Sequence, residues 1–577
     1  MLSPSLTPST PQELSAALAE AQRTAEEAQR ALQSAQAQIA TLTRERDQLR
    51  KSYELLLQEL ELLRRRIFAA KAERIDTRQL ELDFAAVRAE LDRVAGMLPR
   101  EAQAGEGEKV AATSRKKQSG RRDLRALPLP EDRIEIPDVL YEQLVAEEKA
   151  TRIGFEESCR VAYRRGGPVR VVVARVKYQT TDVEGLTHVE TAPLPPESFP
   201  RSLAAPSMLA HVCSEKFCDG LPLNRVENRL GRRGFTLDRG TMSRWVEDAG
   251  ATLGATVVAA ARREAFETAF CIATDATGVA VQPEPREDGR RQACRRAHYF
   301  VLIADRDHIF FEFTPKETSE TVFEMFRGFS GYVHADAKSV YDVLFKKAEK
   351  PPDDFESRTE VGCWSHCRRK YWEAACAKSE LGREGLARIG WMFTLEDSWR
   401  KDPPEVIQRM RNEHLRPHME AFFAWAEAQY EEVRDQRGML RSAFGYAVRQ
   451  KDALMRVLED GRLLLDNNRS ERELRRIAVG RRAWLFVGSD GHGESAGHIL
   501  SLVASARLHG LDPEEYLRDV FRVLAHWPRE RYLELCPKYW ARTRVLLDPK
   551  EMTKEIGFLT IPPPLELQPS KQETPAN

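Results

Sequence analysis

Five short runs between residues 270 and 364 constrain the fold of this chain most: FCIATD (270–275), YFVLIAD (299–305), HIFFEFT (308–314), GYVHAD (331–336) and EVGCW (360–364). Their β-branched and aromatic content reads as buried strands. Helices are expected between them at about 317–327 and 338–347. Strand, strand, strand, helix, strand, helix, strand is the order of a mixed sheet flanked by helices. Asp275 and Asp336 each end one run, where a side chain leaves the buried sheet and can meet a ligand. If those strands are neighbours, the two carboxylates could share Mg²⁺, a hard cation that takes oxygen ligands. Two such ions can hold attacking and leaving oxygens in line for phosphodiester chemistry. An acid at a strand end is more often a cap than a metal ligand, so these two acids need further evidence.

The 577 residues imply roughly three or four folding units. From Leu14 to Ile67 apolar residues recur in steps of four and three, broken once at Arg46. A seam held this long is the coiled-coil condition, and the rod would extend about 80 Å. Thr10 as N-cap, Pro11 at the first helical position and Glu13 reaching back supply its start. A long helix folded against its own chain is the other reading, but the narrow seam favours self-association. Residues 101–125 carry no period and read as a linker whose second half is basic, with Arg115, Lys116, Lys117, Arg121, Arg122 and Arg125 against Asp123 alone. Such a density suits phosphates, or a solvated linker.

Short β-branched runs such as VRVVVARV (169–176) predict a small strand-rich unit, ended by the prolines from Pro193 to Pro200. Residues 206–250 read as three helices, with Pro206 and Pro222 at first turns and Gly234 between a helix at about 223–232 and one at about 238–250. Val226, Leu230, Met242, Trp245 and Val246 would share a core. Arg225, Arg229, Arg232, Arg233, Arg239 and Arg244 would then lie outside it. This is a helix-turn-helix pattern with a basic face, although three helices can pack this way without DNA.

Lys+Arg and Asp+Glu both total 89, so a nucleic-acid partner has to be read from such clusters and not from the net charge. No run approaches the roughly 20 apolar residues of a membrane-spanning helix, and MLSPSLTPST lacks the pattern of a secretory signal, so no membrane association and an intracellular, cytoplasmic location are expected. The nine cysteines are odd in number and unpatterned, which predicts free thiols.

Further evidence comes from residues 461–512, which contain DNNRSER, GRRAWLFVGSD and ARLHGLDP. With RIFAAKAERID (66–76), KFCDGLPLNRVENRLGRRGFTLDRGTMSRWV (216–246) and GCWSHCRRKYWEA (362–374), these blocks resemble, in order, an insertion-sequence-66 family transposase from about residue 10 to 545. The resemblance implies an α+β multidomain chain. It would comprise a coiled coil (10–76), a helix end and basic linker (77–129), a strand-rich unit in place of a zinc-binding domain (130–200) and a helix-turn-helix-like region (201–262). An RNase H-like core (265–374) would follow, with a helical insertion (375–460), core completion (461–510), C-terminal helices (511–548) and a tail (549–577).

Carried over by position, the resemblance implies a DDE triad of Asp275, Asp336 and Glu471 holding Mg²⁺ or Mn²⁺, with 60 residues between the first two acids and 134 between the last two. Glu471 also reads as half of a capping pair with Asn468. Implied partners are double-stranded DNA, at element ends and target, a second copy through the coiled coil, and accessory proteins of the same element in a bacterial nucleoid. Arg472, Arg475 and Arg476, with Arg481 and Arg482, would approach phosphates, or form a solvated helix face. Trp484 and Phe486 are expected in the core. His366, between Cys363 and Cys367, lacks a fourth zinc ligand, so it is expected as a DNA contact, with Arg368 and Arg369 beside it, or as a core histidine. Ala276 and Ala337 stand where the family usually has Glu and Gly, and Cys159 stands alone where it usually has paired cysteines, so no zinc is expected. These departures motivate a second reading, a transposase-derived DNA-binding protein with decayed catalysis.

Overall fold

The computed structural model describes residues 88, 93, 124–125, 129–164, 166–181, 186–200, 202–283, 292–345, 358–377 and 379–567. The chain divides into two compact units, Met1–Arg121 and Arg122–Asn577. The coiled coil expected over 10–76 and the basic residues Arg115 to Arg122 lie outside the described residues.

In the second unit, β1 (Glu131–Ile136), β2 (Ala150–Arg164), β3 (Gly167–Thr181) and β4 (Thr187–Thr191) form one sheet. The β-branched run expected as a strand is the centre of β3, which pairs antiparallel with β2 and β4 and parallel with β1. Val171 and Val173 pack with Ile136, Ala162, Ala205 and Ile556 in a small core.

Three helices follow, Pro206–Phe217, Leu223–Arg232 and Arg239–Leu253. Pro206 sits in the first turn, where its missing N–H costs nothing, and Pro222 is the N-cap of the second helix. Gly234 takes φ +78° between the second and third helices, a conformation that favours glycine. Val226, Leu230, Met242, Trp245 and Val246 are all buried in the main core.

The second sheet holds β5 (Cys271–Val281), β6 (Arg295–Ala304), β7 (His308–Thr314), β8 (Gly331–His334) and β9 (Arg358–Val361), in the spatial order β7-β6-β5-β8-β9. β5, β6 and β7 run antiparallel, while β8 and β9 run parallel to β5. Both faces are covered, with Phe300 and Leu302 in one core and Tyr299, Val301 and Ile303 in another. That is why these runs read as continuously apolar. Two expectations are corrected. Asp275 does not end its strand, because β5 continues six residues further to Val281. The helix expected at 338–347 is a 3-10 turn, Ser339–Leu344.

Helices Asn468–Trp484 and Asp490–Leu508 cover one face of this sheet through Leu474, Ile477, Leu500 and Ala504. β7 is an edge strand, and Ser501 and Ser505 of the second helix accept hydrogen bonds from the Phe311 and Ile309 N–H groups at 2.8 and 2.9 Å. That satisfies donors an edge would otherwise leave open. Between β9 and Asn468 lies a helical segment with its own aromatic core of Trp364, Tyr371, Phe422, Phe423 and Phe444.

Candidate catalytic site

β5 and β8 pair in parallel with Ala273 opposite His334, so two residues further on Asp275 comes alongside Asp336. Asp275 Oδ1 accepts a 2.7 Å hydrogen bond from the Ala276 N–H. Its carboxyl is nonetheless raised above the ordinary range, first by burial and then by the charge of Asp336, with Lys338 and His366 opposing. Asp336 Oδ1 is buried with no hydrogen-bond partner among the described residues. Two crowded carboxylates, one with an orphaned oxygen, are a donor set suited to a hard divalent cation.

The helix that carries Glu471 has a fixed start. Asn467 is buried, and its side-chain amide donates to the Thr274 carbonyl at 2.7 Å, one residue before Asp275. Ser470 Oγ donates to Asn467 Oδ1 at 2.6 Å, and the Asn467 N–H donates to Cys363 Sγ at 3.3 Å. The Trp364 N–H donates to the Leu465 carbonyl at 3.0 Å, so the GCWSH segment holds the approach to this helix. Sequence reasoning misses Asn467; a short amide inside DNNRSER is its only signal.

The capping pair expected of Asn468 and Glu471 does not form. Asn468 instead donates from its backbone and side chain to Asp466, at 3.1 and 2.8 Å. Glu471 turns to His366, with Oε1 3.6 Å from Nε2. His366 also acts on Asp275 through its charge, and its Nδ1 is buried without a hydrogen-bond partner among the described residues. As the side chains stand, no three His, Cys, Asp or Glu among the described residues gather closely enough to hold a metal ion. Asp275 and Asp336 fit one by position and burial, and Glu471 lies beside His366.

All nine cysteines are free. Cys363 and Cys367 are buried, and burial pushes both thiols up, Cys363 to about 11. Ala276 packs partly buried against the core, whereas Ala337 is exposed.

The arginines divide into two groups. Arg225, Arg232, Arg233 and Arg239 are exposed on the second and third helices, as are Arg368, Arg369, Arg472, Arg475 and Arg482 elsewhere. Arg229 and Arg244 lie outside the buried core but are only half-exposed. Arg229 is ion-paired with the buried Glu215, and Arg244 is half-buried and donates to Thr241 Oγ1 at 3.0 Å. Arg233 also lies over the Tyr163 ring, 5.6 Å from its centre. Arg476 pairs with Glu473 at 2.9 Å. Trp484 packs against the core as expected, but Phe486 does not: it is 42% exposed.

Three family profiles match the chain: "Transposase IS66 family" over residues 201–495, "IS66 C-terminal element" over 501–537 and "Transposase C of IS166 homeodomain" over 55–134. The chain is also similar to two uncharacterized proteins of Sinorhizobium fredii. It is 25% identical to y4qI over 376 residues, and 26% identical to y4hP over 408 residues. Each match covers 64% of this chain and 68% of the relative.

Proposed function

The chain belongs to the IS66 family of transposases, and on that footing we propose that it cleaves and rejoins DNA at the ends of an insertion sequence, with Asp275, Asp336 and Glu471 as its acids. The observation that carries this is the parallel register of β5 and β8, which brings Asp275 and Asp336 together beside an orphaned carboxylate oxygen. The sheet order, with three antiparallel strands in sequence and two more parallel to the first, supports an RNase H-like core.

Mg²⁺ or Mn²⁺ is the expected cofactor, and the three acids would hold it. Bound there, such an ion would neutralise charge at phosphorus and orient the oxygens. The protein's own part is positional. Asn467 holds the start of the helix that carries Glu471 against β5, and the exposed Arg472 and Arg475 follow one and four residues after Glu471 on the same helix. A hydroxyl, of water or of a DNA 3′ end, would attack phosphorus, so no covalent protein nucleophile is needed. The test is nicking of an end-containing duplex by the full chain in Mg²⁺ or Mn²⁺, with accessory proteins of the element supplied.

Ala276 and Ala337 favour a second reading, a transposase-derived DNA-binding protein without catalysis. Binding without nicking in either metal would select it.

The helices Leu223–Arg232 and Arg239–Leu253 would bind the element's ends. Replacing Arg232 and Arg233 by Gln is expected to weaken duplex binding and to lower the slope of log affinity against log salt by up to about two, since each lost phosphate contact removes about one. Titrations at several salt concentrations check this, and equal affinity and slope would remove the assignment. Deleting residues 1–68 is expected to reduce self-association and leave the second unit folded, as read by light scattering and circular dichroism. An unchanged mass would sink the coiled-coil reading. No helix among the described residues is long and apolar enough to cross a membrane.

A further inference from the structure

Beyond Asp275, the far half of β5 forms the floor of an open groove of about 480 Å³ whose walls include Arg295, Arg296 and Arg481. The floor is built of small residues, and it is narrow at Gly278, where a Cβ would come within 2.9 Å of Arg296 Nε. Arg481 reaches across β5 and donates to the Gly278 carbonyl and, at 3.2 Å, to the Thr277 hydroxyl, which fixes its guanidinium over the strand. Arg295 is ion-paired with Asp490 at the rim. Arg296 is exposed and makes no ion pair with any described residue.

An unusual turn lies beside the end of β5. Helix Asn468–Trp484 stops at Leu485, which takes φ +67°, and the Phe486 N–H donates to the Trp484 carbonyl at 2.8 Å. This is the rare, strained form of the three-residue turn. Immediately afterwards Val487 is clamped to the groove floor, its N–H donating to the Ala280 carbonyl and its own carbonyl accepting from the Gln282 N–H, both at 2.8 Å. Between the strained turn and the clamp, Leu485 and Phe486 are held out of the core, 65% and 42% exposed. Backbone strain that keeps large apolar side chains in water needs a use.

We propose that this groove binds an unpaired DNA strand, with Arg296 and Arg481 on its phosphates and Phe486 stacked on an exposed base. A track of guanidiniums beside an exposed aromatic ring is the chemistry that recognises single strands, because every base offers a face to stack on. A duplex keeps those faces covered. The identity of the nucleic acid as DNA rests on the transposase reading, and the groove begins at Ala276, one residue beyond Asp275 on the same strand.

The test is fluorescence anisotropy of the full chain with a labelled oligothymidine, and with a blunt duplex as control, in EDTA so that nothing is cut. Arg296→Gln is expected to lower oligothymidine affinity several-fold and flatten the salt slope by about 0.7. Phe486→Ala should lower it about tenfold with the slope unchanged, and Phe486→Trp should restore it. Duplex affinity should hold in all three variants. Unchanged oligothymidine binding in both Arg296→Gln and Phe486→Ala overturns the proposal, as does an equal loss on the blunt duplex. A Phe486→Ala variant with altered mass by light scattering but intact oligothymidine binding also overturns it, pointing to a protein partner. The assay needs no cleavage, so a wild type that never nicks DNA would leave this result standing, and normal nicking without oligothymidine effects would sink the groove alone.

Discussion

Glu471→Gln is expected to reduce metal-dependent nicking by on the order of a thousandfold or more, because a carboxylate that helps to place a catalytic cation is worth several kcal/mol at the transition state. Folding should be untouched. Glu471 is exposed, and its 3.6 Å contact with His366 is a surface pairing worth at most about 1 kcal/mol. Asp275→Asn and Asp336→Asn should fail in the same way, and any two changes together should be no worse than one, since removing a shared site twice adds little. Their melting temperatures without metal are expected to rise, because each substitution removes one of two crowded carboxylates, while the amide oxygen introduced by Asp275→Asn could still accept from the Ala276 N–H. Nicking and thermal melts on the same preparations check both halves. Strong cleavage by Glu471→Gln would remove it from the triad.

Asn467→Ala should damage the site without touching an acid. It leaves the Thr274 carbonyl and the Ser470 hydroxyl without their 2.7 and 2.6 Å partners in a buried place. Unsatisfied buried groups cost about 1–3 kcal/mol each, so a loss of about 2–4 kcal/mol in stability is expected. Nicking measured well below the melting point should still fall at least tenfold, because the start of the helix that carries Glu471 is no longer held against β5. Asn467→Asp is the sharper variant, as it keeps the shape but turns a carboxylate oxygen toward a carbonyl. Full nicking by a folded Asn467→Asp protein would show that the amide only stabilises.

Much of the second sheet is legible in the sequence because its strands are buried on both faces and spell uninterrupted apolar runs. Legibility ends where that signal stops. After Asp275 the residues ATGVAV are small and read as the end of a strand, yet they continue β5 by pairing with Arg295 to Phe300. Arg229 reads as a free surface charge because its partner, Glu215, lies on another helix, and only the packing of the two makes the pair. The chemistry of Phe486 points to the core, and a backbone turn at Leu485 decides otherwise. Asn467 is invisible for a similar reason: its partner, the Thr274 carbonyl, lies 193 residues away.

The helix Arg239–Leu253 and the helix Asp490–Leu508 meet along a glycine seam. A Cβ at Gly250 or Gly254 would strike Ser495 or His498, and Ser495 Oγ donates to the Glu247 carbonyl at 2.9 Å. One of these helices would read the element's end, and the other follows directly on the helix that carries Glu471. Locked so tightly, they cannot slide past each other. The protein would then act as a ruler, with the cut falling a fixed number of base pairs from the sequence recognised. Inserting a few base pairs between that sequence and the terminal nucleotide would carry the cut along with the recognised sequence and away from the element's true end.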